Sequence, residues 1–481
     1  MEFYAENISI FLNFPRTLVV VLGGSFHLLS VKTGRNTARR PAKYLLFMIF
    51  AKNKIPIEKC IVSFSHNKYE SRKAADNLSI SKAKTEIAAG KNGISHLILR
   101  SRDDKIDRLK FLFLIHGIPV MCYALGNLLS SRLREIVVVG SDEVQLIMER
   151  FLSTVGTCGK TVQFVKEEDQ HLNLVHTMNL GRDKLSLDKN ELVLFQPGDL
   201  PFLYDLEKVL EFQGNQDHNI ILWLNSRQKM FPDFSGNPDS EFVKRNYHYR
   251  ILNDHEADLH DLKEPNLYPI NFSMMDSEII DHLHSSRKGG QIINAGIKMA
   301  LNKPTRLFKA LPFLIDHALT FRSQINRVRP GDKYQFGMSR KNFHKSISNL
   351  LNIAITTTLH DDPSFVSDID ALEDWEDFES LTHFAENREG MGGLAEIHPF
   401  GEELLKFREA DMAYLKEKIP MYQNFPSYLN HIYETLEMGY EPFDSDGNYI
   451  SRNANLPEVK QAYRWYQQKC KALRQGKPEP A

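Results

Sequence analysis

Two carboxylates stand at junctions of the kind where a sheet presents a metal ligand. In Leu192-Val-Leu-Phe-Gln-Pro-Gly198-Asp199-Leu-Pro201-Phe202 a short apolar run stops at Gly-Asp-x-Pro. Glycine permits close backbone approach and proline bars continuation of the strand, so Asp199 is delivered to the carboxyl edge of a sheet. A single carboxylate there suits Mg²⁺, which takes one or two carboxylates and completes its shell with water and phosphate oxygens. The competing role for Asp199 is as the N-cap of a helix starting near Phe202. The second junction is Phe365-Val-Ser-Asp368-Ile-Asp370-Ala-Leu-Glu373-Asp374-Trp375. Phe365 and Val366 read as a strand end, and Glu373-Asp374 as the acidic first turn of a helix favoured by the macrodipole. Asp370 lies between them. If the two junctions are neighbours in one sheet, they make a two-carboxylate magnesium site for a nucleoside triphosphate; otherwise the second is an acidic helix start.

The elements that must position these residues follow from the pattern of the middle of the chain. From Ile94 to about Phe384, strand-like runs alternate with helical segments such as Pro119 to Ser130 and Glu143 to Ser153. The runs are His96 to Leu99, Glu135 to Val139, Val162 to Val165, Leu192 to Phe195 and Asn219 to Leu224. Short aliphatic runs alternating with helices imply an α/β fold with a mainly parallel sheet covered on both faces. Ligands of such sheets sit at the carboxyl ends of the strands.

The flanks differ. Residues 1–90 read as a basic N-terminal extension without a clear fold, 91–388 as the α/β domain, and 389–481 as a helical region. The last helix starts at Pro457 and carries Val459, Tyr463, Tyr466, Cys470 and Leu473 on one face, a stripe that docks on a core. Asp444 to Asn448 has calcium-loop residue types, but its glycine comes too early and no closing glutamate follows, so it reads as a turn.

The 481 residues suggest about three domains at roughly 150 residues each. Sixty Lys+Arg against sixty-one Asp+Glu leave a formal charge of −1, so no basic excess exists for binding nucleic acid. The neutrality is a cancellation of a basic start and an acidic stretch over 361–379. Cys60, Cys122, Cys158 and Cys470 form no Cys-x-x-Cys pair, which removes zinc-ribbon and thioredoxin-type chemistry and points to a reducing compartment. The apolar runs are too short to span a bilayer, so a cytoplasmic protein is expected.

Lys110-Phe-Leu-Phe-Leu-Ile-His-Gly117-Ile-Pro119 and the apolar residues after it resemble the Lys-Pro-Leu-x-x-x-x-Gly-x-Pro segment of the MobA-like NTP transferases, nucleotidyltransferases with the GT-A-like fold. Arg134 to Gly140 is similar to their second strand, Pro197-Gly-Asp199-Leu-Pro201 to their metal-binding loop, and Ser367 to Trp375 to their late acidic element. The resemblance covers residues about 94–384 and implies transfer of an NMP from an NTP to a phosphorylated or otherwise anionic small acceptor, with release of pyrophosphate. In that scheme Asp199 and Asp370 hold Mg²⁺ and Lys110 neutralises the α-phosphate, which meets the need of phosphoryl-type transfer for positioning and charge neutralisation. Lys263, Asn266 and Asn271 correspond to the region that contacts the acceptor; a Pro-bounded edge strand is the plainer reading of the same stretch.

One departure is pronounced. Where the family has a glycine-rich triphosphate loop, this chain reads Leu97-Ile-Leu-Arg100-Ser-Arg102-Asp-Asp-Lys105. Arg100, Arg102 and Lys105 would replace a backbone cradle, since guanidinium groups pair well with phosphate, with Gly198 completing the nucleotide site. Val20-Val-Leu-Gly-Gly24 is a better glycine loop in the wrong place. Two other functions stay open: a GT-A glycosyltransferase using a sugar nucleotide, and a catalytically inactive scaffold of the same fold.

Overall fold

The computed structural model describes residues 2–5, 8–13, 17–22, 25–30, 57–64, 81, 83–85, 88–89, 110–167, 174–188, 191–204, 206–211, 220–226, 249–252, 259–263, 266–272, 338–339, 344–345, 348, 354–360, 362–369, 372–387, 393–435, 441–450 and 457–475. Contacts divide the chain into two units, Met1–Ile55 and Pro56–Ala481.

In the first unit, β1 (Glu2–Ala5), β2 (Ile8–Asn13), β3 (Thr17–Leu22) and β4 (Ser25–Ser30) form an antiparallel meander in sequence order. Leu22 pairs with Ser25 across β3 and β4. The strands flanking Gly23-Gly24 are thus antiparallel neighbours, and this glycine pair does not join a strand to a helix as a phosphate loop would.

The second unit is α/β. Its strands are β5 (Lys59–Ser63), the small hairpin β6 (Leu114–Ile115) and β7 (Ile118–Pro119), then β8 (Glu135–Gly140), β9 (Thr161–Lys166), β10 (Val193–Pro197) and β11 (Ile220–Ser226). They continue with β12 (Tyr249–Leu252), β13 (Leu259–Lys263), β14 (Tyr268–Ile270), β15 (Met338–Ser339) and β16 (Ile355–His360). Apart from the hairpin they make one ten-stranded sheet. Strands β9, β8, β5 and β10 run parallel in that spatial order. β14 is antiparallel to both β10 and β11, and β11 pairs in parallel with β16 along its length. The carboxyl ends of β5, β10, β11 and β16 therefore share one edge.

Helices bounded within the described residues include α1 (Val120–Ser130), α2 (Asp142–Val155), α3 (Leu174–Lys184) and α4 (Leu206–Leu210), followed by α5 (Leu372–Glu386), α6 (Leu394–Ile397), α7 (Gly401–Lys418), α8 (Pro420–Gln423), α9 (Phe425–Thr435) and α10 (Pro457–Gln475). Alternation along β10 sends Leu194 into the larger core shared with α1, α2, α5, α7 and α10, and sends Val193 and Phe195 to the opposite face with Met178 of α3. Burial on both faces is the pattern of a parallel sheet between helical layers. α3 lies so close to the sheet that a Cβ on Gly181 would stand 2.4 Å from Ile61 Cγ2.

The sequence-based expectations need three corrections here. The interior strand β5 comes from Lys59–Ser63, before the expected boundary at residue 90, because five residues in a basic setting give too brief an apolar signal to stand out. Phe365 and Val366 lie in a 3₁₀ turn, Pro363–Val366, since proline ends extended pairing after β16. Val459, Tyr463, Tyr466 and Cys470 of α10 are buried as expected, but Leu473 is exposed. Among the described residues no helix is long and apolar enough to cross a membrane.

Candidate functional site

Backbone bonds build the edge on which Asp199 sits. Gly198 N–H donates to Ser63 C=O at 2.8 Å and Phe64 N–H to Val139 C=O at 2.8 Å, extending the ladder one residue past the ends of β10 and β5. A Cβ on Gly198 would stand 2.1 Å from Phe64 Cε1, so the glycine is required for the Phe64 ring to lie against the loop. The loop is bolted from the helical side: Asn127 Nδ2 donates to Pro201 C=O at 3.2 Å, and His398 Nε2 donates to the same carbonyl at 3.0 Å. Phe400 N–H donates to His398 Nδ1 at 3.0 Å, which fixes the Nε2–H tautomer. Burial pushes the His398 pKa down to about 3, so the ring stays neutral. Among the described residues the next helix after Asp199 is α4 at Leu206, too far along the chain for Asp199 to be its N-cap.

Asp199, 6% exposed, pairs through Oδ2 with the Lys110 ammonium. Lys110 is not a surface lysine: its side chain is 12% exposed and its Nζ lies 5.6 Å from the centroid of the Phe111 ring. It stands in the turn before the β6–β7 hairpin, where Val120 and Met121 N–H groups donate to Phe113 and Phe111 C=O.

The late acidic element reaches the same loop. Ile369 N–H donates to Asp199 C=O at 3.0 Å, so the residue preceding Asp370 is bonded to the backbone of Asp199. Asp370 itself is outside the described residues, as are Arg100, Arg102 and Lys105. Lys263 ends β13, with its backbone opposite Asn225 at the carboxyl end of β11. Asn266 N–H donates to Phe365 C=O at 3.0 Å, which puts it beside the turn leading to Ile369. Asn271 is a correction. β14 is antiparallel to β10, with Tyr268 opposite Phe195 and Ile270 opposite Val193. Asn271 therefore follows β14 at the amino end of β10, the edge away from Asp199.

Asn225 was not legible as a site residue. Fully buried, it donates from Nδ2 to Asp362 C=O at 2.6 Å, while its Oδ1 has no hydrogen-bond partner. Asn266 Nδ2 likewise has none. Asn225 through its side chain and Asn266 through its backbone N–H are tied to the two ends of the segment Asp362–Phe365. The signal available was a polar residue closing the Ile-Ile-Leu-Trp-Leu run of β11.

Among the described residues no three His, Cys, Asp or Glu side chains converge as a metal cluster. The donor chemistry nonetheless suits Mg²⁺, because Asp199 offers a hard carboxylate oxygen at a strand end and Mg²⁺ leaves most of its shell to water and phosphate. The fold and site together define an α/β protein with a buried lysine–carboxylate pair on the carboxyl edge of its sheet.

No family model matches this sequence, and no curated protein matches it. Among solved structures, a hypothetical transferase from Thermus thermophilus is similar at 13% identity over 66% of this chain and 100% of that one, with a TM-score of 0.35. The inositol-1-phosphate CTP transferase from T. maritima is similar at 10% identity over 65% of this chain and 92% of that one, with a TM-score of 0.30.

Proposed function

We propose that the protein is a nucleotidyltransferase, moving an NMP from an NTP to a phosphorylated or otherwise anionic small acceptor with release of pyrophosphate. The observation that carries this reading is the buried Lys110–Asp199 pair at the carboxyl edge, where the late acidic segment also arrives through Ile369. Asp199, with Asp370, would hold Mg²⁺, which when bound supplies positive charge to the phosphates. Lys110 would then turn from the carboxylate to the α-phosphate, neutralising charge that builds up as the acceptor oxygen attacks and pyrophosphate leaves. Asn225 and Asn266 would orient the acceptor. Asn271, at the other edge, takes no part.

An inactive scaffold is the second reading, and one observation favours it. The sequence that follows β5, an interior strand of the sheet, holds no glycine from Phe64 to Ala89, so it lacks the residue type that glycine-rich triphosphate loops use. Pyrophosphate release from each of the four common NTPs with Mg²⁺, against a panel of sugar and polyol phosphates, tests the transferase. Turnover abolished by Asp199→Ala supports it. No turnover and no NTP binding would leave the scaffold.

A further inference from the structure

The Lys110 turn is held from behind by a buried acid that the proposed reaction does not use. Leu114-Ile115-His116-Gly117-Ile118-Pro119 closes on a two-residue turn, with φ of 51° at His116 and 73° at Gly117. The polar backbone of this hairpin is satisfied by helices. Trp375 Nε1 donates to Leu114 C=O at 2.8 Å, Tyr123 Oη to Ile115 C=O at 2.9 Å, and His116 N–H donates to Glu379 Oε2 at 2.6 Å. Trp375 and Glu379 belong to α5, the helix that follows Asp370 directly. α5 therefore ties the hairpin that carries Lys110 to the segment bonded to Asp199.

We propose that Glu379 is a positioning residue for Lys110: its ionised carboxylate, gripping the His116 N–H, fixes the hairpin and with it the reach of the lysine to the site. This rests on the transferase reading. Glu379 is 6% exposed, and burial raises its pKa to about 7 against the lowering effect of the His116 bond. A leucine or glutamine there would avoid the cost of burying a charge, so an acid that ionises near neutrality is an expensive choice for packing alone. Protonation converts a charge-assisted bond to a neutral one and adds an O–H that needs an acceptor.

Other titratable groups surround it. His116 Nε2 lies 3.5 Å from Glu386, which also faces Arg408 of α7 at 3.6 Å. Burial, with Arg408, lowers the His116 pKa to about 4. Glu376 accepts from Tyr433 at 2.7 Å, Tyr449 pairs with Ser380 at 3.0 Å, and His383 packs its ring against Tyr449. Tyr123 faces the acid from α1, and burial holds its hydroxyl well above the usual range. Burial lowers the His383 pKa as well, so a variant is needed to isolate Glu379.

The test uses the full chain labelled with ¹⁵N-histidine and ¹⁵N-phenylalanine, comparing wild type with Glu379→Gln from pH 5.5 to 8.5. The His116 and Phe113 amides should shift together with a midpoint near 7 in wild type and stay still in the variant. In parallel, kcat/KM for pyrophosphate release should fall about 10-fold on the acid side in wild type and be flat in Glu379→Gln at the wild-type acid level. Glu379 acts only locally, and the inference is overturned, if Phe113 stays still while His116 titrates, if both titrate equally in the variant, or if the variant keeps the acid limb. Should wild type turn over no NTP, the transferase reading fails separately, and the amide pair alone decides whether Glu379 sets the hairpin.

Discussion

Lys110 and Asp199 lie 89 residues apart in the sequence and meet as an ion pair where the turn before the β6–β7 hairpin faces the loop after β10. Each side chain is held on its own scaffold, the lysine by a hairpin clamped to α5 and the aspartate by a loop bolted to Asn127 and His398. If both act on the same transferring group, their effects must be coupled. Lys110→Met and Asp199→Asn should each lower pyrophosphate release on the order of 10²- to 10³-fold, with the double variant little worse than the poorer single one. Steady-state rates of all four proteins check this, and fully additive losses would separate the two roles.

Gly198→Ala probes the backbone under Asp199. The added methyl has no room against the Phe64 ring, so either the ring or the loop must move. We expect a loss of stability of about 1–3 kcal/mol, read by chemical denaturation. Gly198→Ala combined with Phe64→Ala should lose less than the sum of the two single changes.

His398 gives a pH signature. Its folded pKa is lowered from 6.5 to about 3 by burial, so between those values the unfolded chain takes up a proton that the folded chain refuses. Stability must therefore fall as pH falls through that window, by roughly 1.4 kcal/mol per pH unit. Denaturation midpoints from pH 7 to 4 should drop more steeply for wild type than for His398→Gln.

Glu379 has the opposite sign. Its pKa is raised from 4.5 to about 7, so the folded chain keeps a proton that the unfolded chain releases, and stability falls as pH rises through that interval. Glu379→Gln should be more stable than wild type at pH 8, by roughly 3 kcal/mol at most, and should match it near pH 4. The difference between the two proteins is the quantity to measure, because His116 and His398 contribute the reverse slope to both.

The cysteines test the placement of β5. Cys60, Cys122 and Cys470 are buried and Cys158 is exposed; burial also pushes the Cys60, Cys122 and Cys470 thiols up. A thiol reagent such as DTNB should modify one cysteine per native chain quickly and four after denaturation. Fast reaction at Cys60 would mean that Lys59–Ser63 is not an interior strand.

Much of this organisation was legible locally. The runs Glu135 to Val139, Val162 to Val165 and Leu192 to Phe195 announced β8, β9 and β10; β8 and β10 are buried on both faces and so have to be short aliphatic runs, whereas β9 lies at the sheet edge. β5 was not legible, since five residues with a lysine at the start carry little signal until neighbours on either side bury them. Asn225 and His398 were equally hidden: a lone polar residue after an apolar run gains meaning only from the carbonyl it meets.

The sequence by itself determined an α/β chain with helices at its end and an Asp199 poised on a strand terminus, because these follow from apolar spacing and from what glycine and proline permit in the backbone. Only the tertiary structure decided which residues share the edge. Parallel pairing of β5 with β10 and of β11 with β16, joined through β14 antiparallel to both β10 and β11, put four strand carboxyl ends on one side, where Lys110 meets Asp199 and Ile369 lies beside it. The antiparallel course of β14 sent Asn271 to the far side, since reversing one strand exchanges its ends, and nothing in the residues of that strand records which way it runs.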